Sequence, residues 1–233
     1  MDPTFWQKLF NIGLSKDKRP SPADIQGWLW GPGNLVYEGN SNVAGTNPAF
    51  IHPDCFNIGW PGDVPESVVK QFHTLVERHE KNPIKKACVQ VGGNMWTWQF
   101  LDPRDVNLGE FKRYMREIAV LYKSILPGAD IVLTSLPFVD PALTLGDMHG
   151  IKSYPKNFQK KYAKIKLNDI FAVASLALKE ICEQEGVVYL DIFTPLKMMW
   201  GRKGRGYWWD VVHYATRCQM LVCVLIRHAW GLR

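Results

Sequence analysis

Residues 34–42 read NLVYEGNSN, an apolar run that ends in a glycine, an amide, a hydroxyl and a second amide. The run has the length and composition of a short buried strand, and Gly39 marks the point where the chain turns out of it. We therefore predict a strand over 34–38 with a polar loop directly after it.

The same pattern recurs along the chain, where short apolar runs alternate with longer amphipathic stretches. The predicted strands are 34–38, 55–58, 86–91, 130–136 and 187–192, and the predicted helices are 65–79, 108–126, 158–184 and 213–230. Continuous apolar strands separated by helices are typical of a parallel sheet that is covered on both faces. The pattern thus predicts an α/β fold, with 143–154 and 200–209 as inserted loops.

The length of 233 residues fits one large domain. Residues 1–32 are rich in proline and read as an irregular N-terminal extension with a short helix at 5–14. We predict a single domain over 33–233.

Composition excludes several classes of protein. Ten tryptophans, eight tyrosines and eleven phenylalanines argue against disorder. The longest apolar run, 220–226, is far shorter than the roughly 20 residues of a membrane-spanning helix.

The N-terminus has no basic start followed by an apolar stretch, so we expect no signal peptide and a cytoplasmic or nuclear protein. The five cysteines form no C-x-x-C pair, and we expect no metal and no cofactor.

Charge is distributed unevenly. Residues 1–150 hold 14 basic and 16 acidic residues, whereas 151–233 hold 14 basic and 6 acidic residues. A basic C-terminal third indicates an anionic partner such as nucleic acid, acidic lipid or a phosphorylated ligand. A solvated basic face without a partner explains the same pattern, and the chain has no helix-turn-helix, zinc-finger or RNP signature.

Polar residues follow the predicted strands or precede the last helix. Ligands of an open parallel sheet bind beyond the carboxyl ends of its strands, so these loops are the candidate site. They contain a hydroxyl, flexible glycines, an amide and an acid–imidazole pair: Ser41, Gly62, Gly93, Asn94, Asp210 and His213.

The order of these residues resembles the sequence blocks of the SGNH (GDSL-type) hydrolase superfamily. That family carries Gly-Asp-Ser, then Asn with a later Gly, then Gly-x-Asn-Asp, and finally Asp-x-x-His. The corresponding positions here are Gly39-Asn40-Ser41, Asn57 with Gly62, Gly92-Gly93-Asn94-Met95, and Asp210 with His213. The resemblance runs from about residue 35 to the C-terminus, and the first and third blocks diverge because Asn40 and Met95 replace aspartates.

The resemblance implies a three-layer α/β/α sandwich with a central, mostly parallel five-stranded sheet of flavodoxin-like order. It also implies a serine hydrolase that cleaves acyl or acetyl esters, with a small ester or a lipid as substrate, through an acyl-serine intermediate. Ser41 would be the nucleophile, His213 its base and Asp210 the acid that orients the imidazole. The backbone N–H groups of Ser41 and Gly62 and the side-chain amide of Asn94 would form the oxyanion hole.

Tryptophans lie close to these blocks, at positions 60, 96, 98 and 209. We expect Trp60, Trp96, Trp98 and Trp209 either to wall the substrate site or to anchor the loops in the core. The resemblance leaves a second function open. Some relatives of this fold bind RNA without catalysis, and others are esterase modules of retroelement proteins, which the basic C-terminal third would suit.

Overall fold

A computed structural model describes the chain at residues 33–60, 62–97, 108–148, 155–203, 208 and 212–232. The predicted N-terminal extension and its short helix lie outside these ranges. Five strands form one sheet, namely β1 (Leu35–Gly39), β2 (Cys55–Asn57), β3 (Lys86–Gln90), β4 (Asp130–Thr134) and β5 (Val188–Leu190). Their order is β2-β1-β3-β4-β5, and every neighbouring pair is parallel.

Eight α-helices connect and follow the strands in the described part of the chain. They are α1 (Ser41–Ala44), α2 (Pro65–Lys81), α3 (Asn94–Thr97), α4 (Leu108–Ile125), α5 (Lys156–Tyr162), α6 (Leu167–Glu185), α7 (Phe193–Lys203) and α8 (Thr216–Ala229). None of these described helices has the combination of length and apolar composition that a membrane crossing requires.

Alternate residues of each strand enter two separate cores, because successive side chains of a strand point to opposite faces. In β1, Val36 packs in the core that α2, α4 and α6 cover, whereas Leu35 and Tyr37 pack in the core beneath α7 and α8. Cys88 of β3 and Val132 of β4 also belong to the second core. The predicted three-layer α/β/α sandwich with a flavodoxin-like sheet is confirmed, and the sheet is parallel throughout.

Two predicted helices are wrong in their extent. The helix predicted over 213–230 begins at Thr216, so His213 lies before it. The helical pattern over 158–184 is divided into α5 and α6, because the chain between them pairs with an earlier segment. Thr144 and Lys166 form an antiparallel bridge, and the Leu145 N–H donates to the carbonyl of Ile165 at 2.8 Å. Hydrogen bonds of this kind take the backbone out of the helix for one turn, and sequence periodicity does not reveal them.

Helix α7 was not predicted, and its N-terminus is held by side chains. The Asp191 Oδ1 accepts from the Thr194 N–H at 3.1 Å, which satisfies a donor that the first turn leaves unpaired. The hydroxyl of Ser135, directly after β4, accepts from the N–H groups of Ile192 at 2.8 Å and Phe193 at 2.9 Å. Asp191 followed by Pro195 is a helix-start signal that was present in the sequence.

Ser135→Ala should destabilise the fold more than Ser175→Ala, although both hydroxyls are buried. The first change leaves two backbone donors unpaired, whereas the second removes the acceptor of the Leu136 N–H alone. A buried donor without a partner costs roughly 1–3 kcal/mol. Urea unfolding of both variants and the wild type measures the difference, and equal losses of unfolding free energy would contradict this account of the β4–α7 junction.

Candidate active site

Ser41 lies where β1 turns into α1, at the carboxyl edge of the sheet and beside the point where β1 is flanked by both β2 and β3. The turn is tight: a Cβ on Gly39 would lie 2.0 Å from the carbonyl oxygen of Gln90 in β3. Asn40 caps α1, since its Oδ1 accepts from the Asn42 N–H at 3.1 Å. An asparagine caps a helix as well as an aspartate does, so the divergence of the first block preserves this local structure. Because Asn40 provides the cap, Ser41 is available for another role.

His213 meets Ser41 across 172 positions of the sequence. Its Nε2 lies 2.8 Å from the Ser41 Oγ, within hydrogen-bond distance, and both side chains are half-buried. An imidazole at this distance can take the proton of the hydroxyl and so turn a weak nucleophile into a strong one. The structure therefore brings together the predicted nucleophile and its predicted base.

Asp210, the predicted acid of the triad, lies outside the described residues, as do Trp98 and Trp209. Within two positions of Asp210 in the sequence, the described residues are Trp208 and Val212. Trp208 forms an antiparallel bridge with Tyr214. The orientation of the imidazole by Asp210 remains a prediction.

The two remaining predicted oxyanion groups lie on adjoining loops. Asn94 begins α3 and is 8% exposed, and its Nδ2 donates to the backbone carbonyl of Asp63 at 2.9 Å. Gly62 has a φ of 90°, a conformation that other residues adopt with strain. Met95 stands where the third block of the family has an aspartate, and the hydrogen bond to the Asp63 carbonyl holds the Asn94 amide without that carboxylate.

Asn57 joins the loop after β2 to the helix that carries the nucleophile. Its Nδ2 donates to the carbonyls of Val43 at 2.6 Å and Thr46 at 3.0 Å, and its Oδ1 accepts from the Gly59 N–H at 2.6 Å. This buried amide therefore fixes the start of the loop that leads to Gly62 relative to Ser41. Its role was not anticipated from the sequence, beyond its place in the second block.

Glu38 and Asp63 form a buried acidic pair, and neither residue was among the predicted site residues. Glu38 is 6% exposed and Asp63 is 5% exposed. Burial and the nearby charge of Asp63 raise the pKa of Glu38 to about 8, and burial raises the pKa of Asp63 to about 6. An acid at the end of an otherwise apolar strand was the signal that could have identified Glu38.

The two described tryptophans of the predicted wall have different environments. Trp60 is 59% exposed on the loop after β2, and its backbone N–H donates to the Gly39 carbonyl at 2.8 Å, directly beside the nucleophile turn. Trp96 is 2% exposed and packs against Phe111 and Phe171 at ring-centroid distances of 5.3 and 6.1 Å. For Trp96 the structure shows a core anchor, so a place in a substrate wall is wrong for this residue.

Solved structures share this architecture over most of the chain. A protein from Parabacteroides merdae that is named as a GDSL-like lipase matches with a TM-score of 0.64 and 15% identity, over 88% of this chain and 98% of its own. The acetylxylan esterase Axe2 of Geobacillus stearothermophilus matches with a TM-score of 0.60 and 13% identity, over 88% and 97% of the two chains. The chain shares the α/β fold of these proteins, with its five-stranded parallel sheet.

A third match is an alpha/beta hydrolase enzyme from the metagenome of Lake Arreo, with a TM-score of 0.62 and 12% identity over 88% of this chain and 97% of its own. No protein-family model matches the sequence, and the search of curated proteins finds no match either. At these identities the likeness establishes the fold, and the function depends on the residues of the site.

Glu38→Gln should flatten the dependence of stability on pH. The pKa of Glu38 in the folded chain exceeds its ordinary value of 4.5, so the folded state binds this proton more tightly than the unfolded state. The resulting stabilisation is present below the ordinary pKa and is lost as the pH rises through about 8.

Unfolding free energies of the wild type and the Gln variant, measured from about pH 5 to about pH 8, check this expectation. The wild type should lose stability across the interval, and the variant should lose less. Exposed Glu180→Gln is the control and should follow the wild type. Parallel curves for the wild type and Glu38→Gln would contradict the assignment.

Proposed function

We propose that the protein is a serine hydrolase that cleaves carboxylic esters. The observation that carries the proposal is the 2.8 Å separation of Ser41 Oγ and His213 Nε2 at the carboxyl edge of a parallel sheet. The esterases and lipases among the structural matches agree with this chemistry.

In the first half-reaction the Ser41 oxygen attacks the carbonyl carbon of the ester while its proton passes to His213 Nε2. The carbonyl π electrons move onto oxygen, and the N–H groups of Ser41 and Gly62 and the Asn94 amide would stabilise that charge. The C–O bond to the alcohol then breaks, and His213 returns the proton to the departing alkoxide. The products are the free alcohol and an acyl-serine.

In the second half-reaction a water molecule attacks the acyl-serine and gives a proton to His213. The bond between the acyl carbon and the Ser41 oxygen breaks, Ser41 recovers the proton, and a carboxylic acid leaves. Asp210 would hold the imidazole in the required orientation throughout. Exposed Trp60, beside the nucleophile turn, offers an apolar surface to the acyl group or the alcohol.

Ser41→Ala should abolish hydrolysis of p-nitrophenyl acetate and butyrate, because the attacking oxygen is removed. We expect kcat to fall by roughly 10³-fold or more. Ser124→Ala, on the exposed face of α4, is the matched control and should keep wild-type rates. Equal rates in the wild type and the Ser41 variant would overturn the proposal.

A specific observation favours a second candidate function, the binding of single-stranded RNA. Five lysines in and just after α5 are exposed, namely Lys156, Lys160, Lys161, Lys164 and Lys166. Residues 155–168 contain no aspartate or glutamate. Charge of one sign at this density attracts a phosphate backbone. The segment lies in the connection from β4 to α6, which starts from the same sheet edge as the site. This function is compatible with ester hydrolysis.

Replacing Lys156, Lys160, Lys161 and Lys164 together by alanine should weaken binding of single-stranded RNA and reduce its dependence on salt. Each phosphate contact contributes about −0.7 to the slope of log K against log salt concentration, so the slope should become less negative by up to about 3. Lys70 and Lys179 on other helices, replaced by alanine, serve as the control. A wild type that does not bind, or a slope that the four substitutions leave unchanged, would contradict this candidate.

A further inference from the structure

His213 lies in a short segment before α8, and one side chain holds that segment on both sides of the histidine. The Nδ2 of Asn42 donates to the Val212 carbonyl at 3.4 Å, and the Oδ1 of Asn42 accepts from the Tyr214 N–H at 3.3 Å. Asn42 is 6% exposed and directly follows Ser41 in α1. Ser41 and the asparagine that binds the histidine segment are therefore neighbours on one turn of helix.

Asn42 is itself fixed in place by its backbone. Its N–H donates to Asn40 Oδ1 at 3.1 Å, and its carbonyl accepts from the Thr46 hydroxyl at 2.7 Å. The two residues that follow it, Val43 and Ala44, are completely buried. A side chain that starts from so constrained a backbone has little freedom to follow a moving partner, so it imposes a position on the histidine segment.

The histidine segment is also tied to the sheet from below. Tyr214 is completely buried, and its hydroxyl pairs with the Gln90 amide, with Nε2 at 2.7 Å and Oε1 at 3.1 Å. The same Gln90 Oε1 accepts from the Tyr37 hydroxyl, so the chain of contacts reaches β1 as well as β3. The residue after His213 is thus held both by Asn42 and by a buried polar network in the second core.

We infer that Asn42 is a positioning residue for the reaction and sets the distance between Ser41 Oγ and His213 Nε2. It does so by binding the backbone of the residues on either side of His213, an arrangement that we call the bracket. The inference rests on the proposed function and adds to it a group outside the predicted triad and oxyanion hole. Near-attack geometry is sensitive to displacements of about 1 Å, which can change rates by about 100-fold.

Steady-state kinetics of Asn42→Ala with p-nitrophenyl acetate test the inference. We expect kcat to fall by about 10- to 100-fold while KM changes by less than about 2-fold, because the substrate contacts remain and the proton transfer is misaligned. Asn168→Ala is the matched control, since it also removes a buried asparagine that donates to and accepts from the backbone, at Val139, and does not touch the histidine segment. It should keep the wild-type kcat. An active wild type whose Asn42→Ala variant keeps kcat, or a loss equal to that of Asn168→Ala, would overturn the inference.

A double-mutant cycle separates positioning from general damage. In a His213→Ala background, Asn42→Ala should cause almost no further loss of kcat, because the group it positions is gone. A loss that multiplies with that of His213→Ala would show that Asn42 acts elsewhere and would overturn the inference.

Asn42→Asp retains the acceptor for the Tyr214 N–H and loses the donor to Val212, so its kcat should lie between those of the wild type and Asn42→Ala. A wild-type kcat for Asn42→Asp would contradict the two-sided bracket.

The ¹⁵N resonances of the His213 ring give a readout that does not need turnover. Asn42→Ala should shift the Nε2 resonance in the same direction as Ser41→Ala, since both weaken the hydrogen bond between the two side chains. An unchanged Nε2 resonance would overturn the bracket. A wild type that shows this response and hydrolyses no ester would instead contradict the proposed function, so the two failures are distinguishable.

Discussion

The hydrogen bond between the Ser41 hydroxyl and the His213 imidazole is the interaction on which the proposed chemistry depends. It joins the first strand–helix turn to the segment before the last helix, 172 positions apart, at a distance of 2.8 Å. Neither group is reactive alone, because a serine hydroxyl is a weak nucleophile and an imidazole acts as a base only on a donor within its reach. The surrounding architecture matters because it holds these two side chains within reach of each other.

The sheet topology provides that arrangement. Strand β1 lies between β2 and β3, so the loops after all three strands meet at one edge. Buried amides then join the loops. Asn57 links the β2 loop to α1, Asn94 binds the Asp63 carbonyl, and Asn42 holds the residues on either side of His213. The Asn57 and Asn42 amides each donate and accept at once, which allows one side chain to satisfy two separate backbone segments.

Much of this was accessible from sequence. Alternation of apolar runs and amphipathic stretches predicted the parallel sheet and its covering helices, and the ordered blocks predicted that Ser41 and His213 would meet. The division of the long helix was not accessible, because Lys166 leaves the helix to pair with Thr144, a tertiary contact. The bracket by Asn42 was not predictable from the sequence either. Asn42 binds the backbones of Val212 and Tyr214, and such bonds do not depend on the side chains of those two residues.

Covalent labelling with a fluorophosphonate, followed by peptide mapping, tests the central claim most directly, since the probe reacts only with a serine whose hydroxyl is activated by a base. The account predicts one phosphonyl adduct, on Ser41, with a labelling rate that collapses in His213→Ala. An unlabelled protein, an adduct on a different serine, or labelling of Ser41 at the same rate without His213 would contradict it.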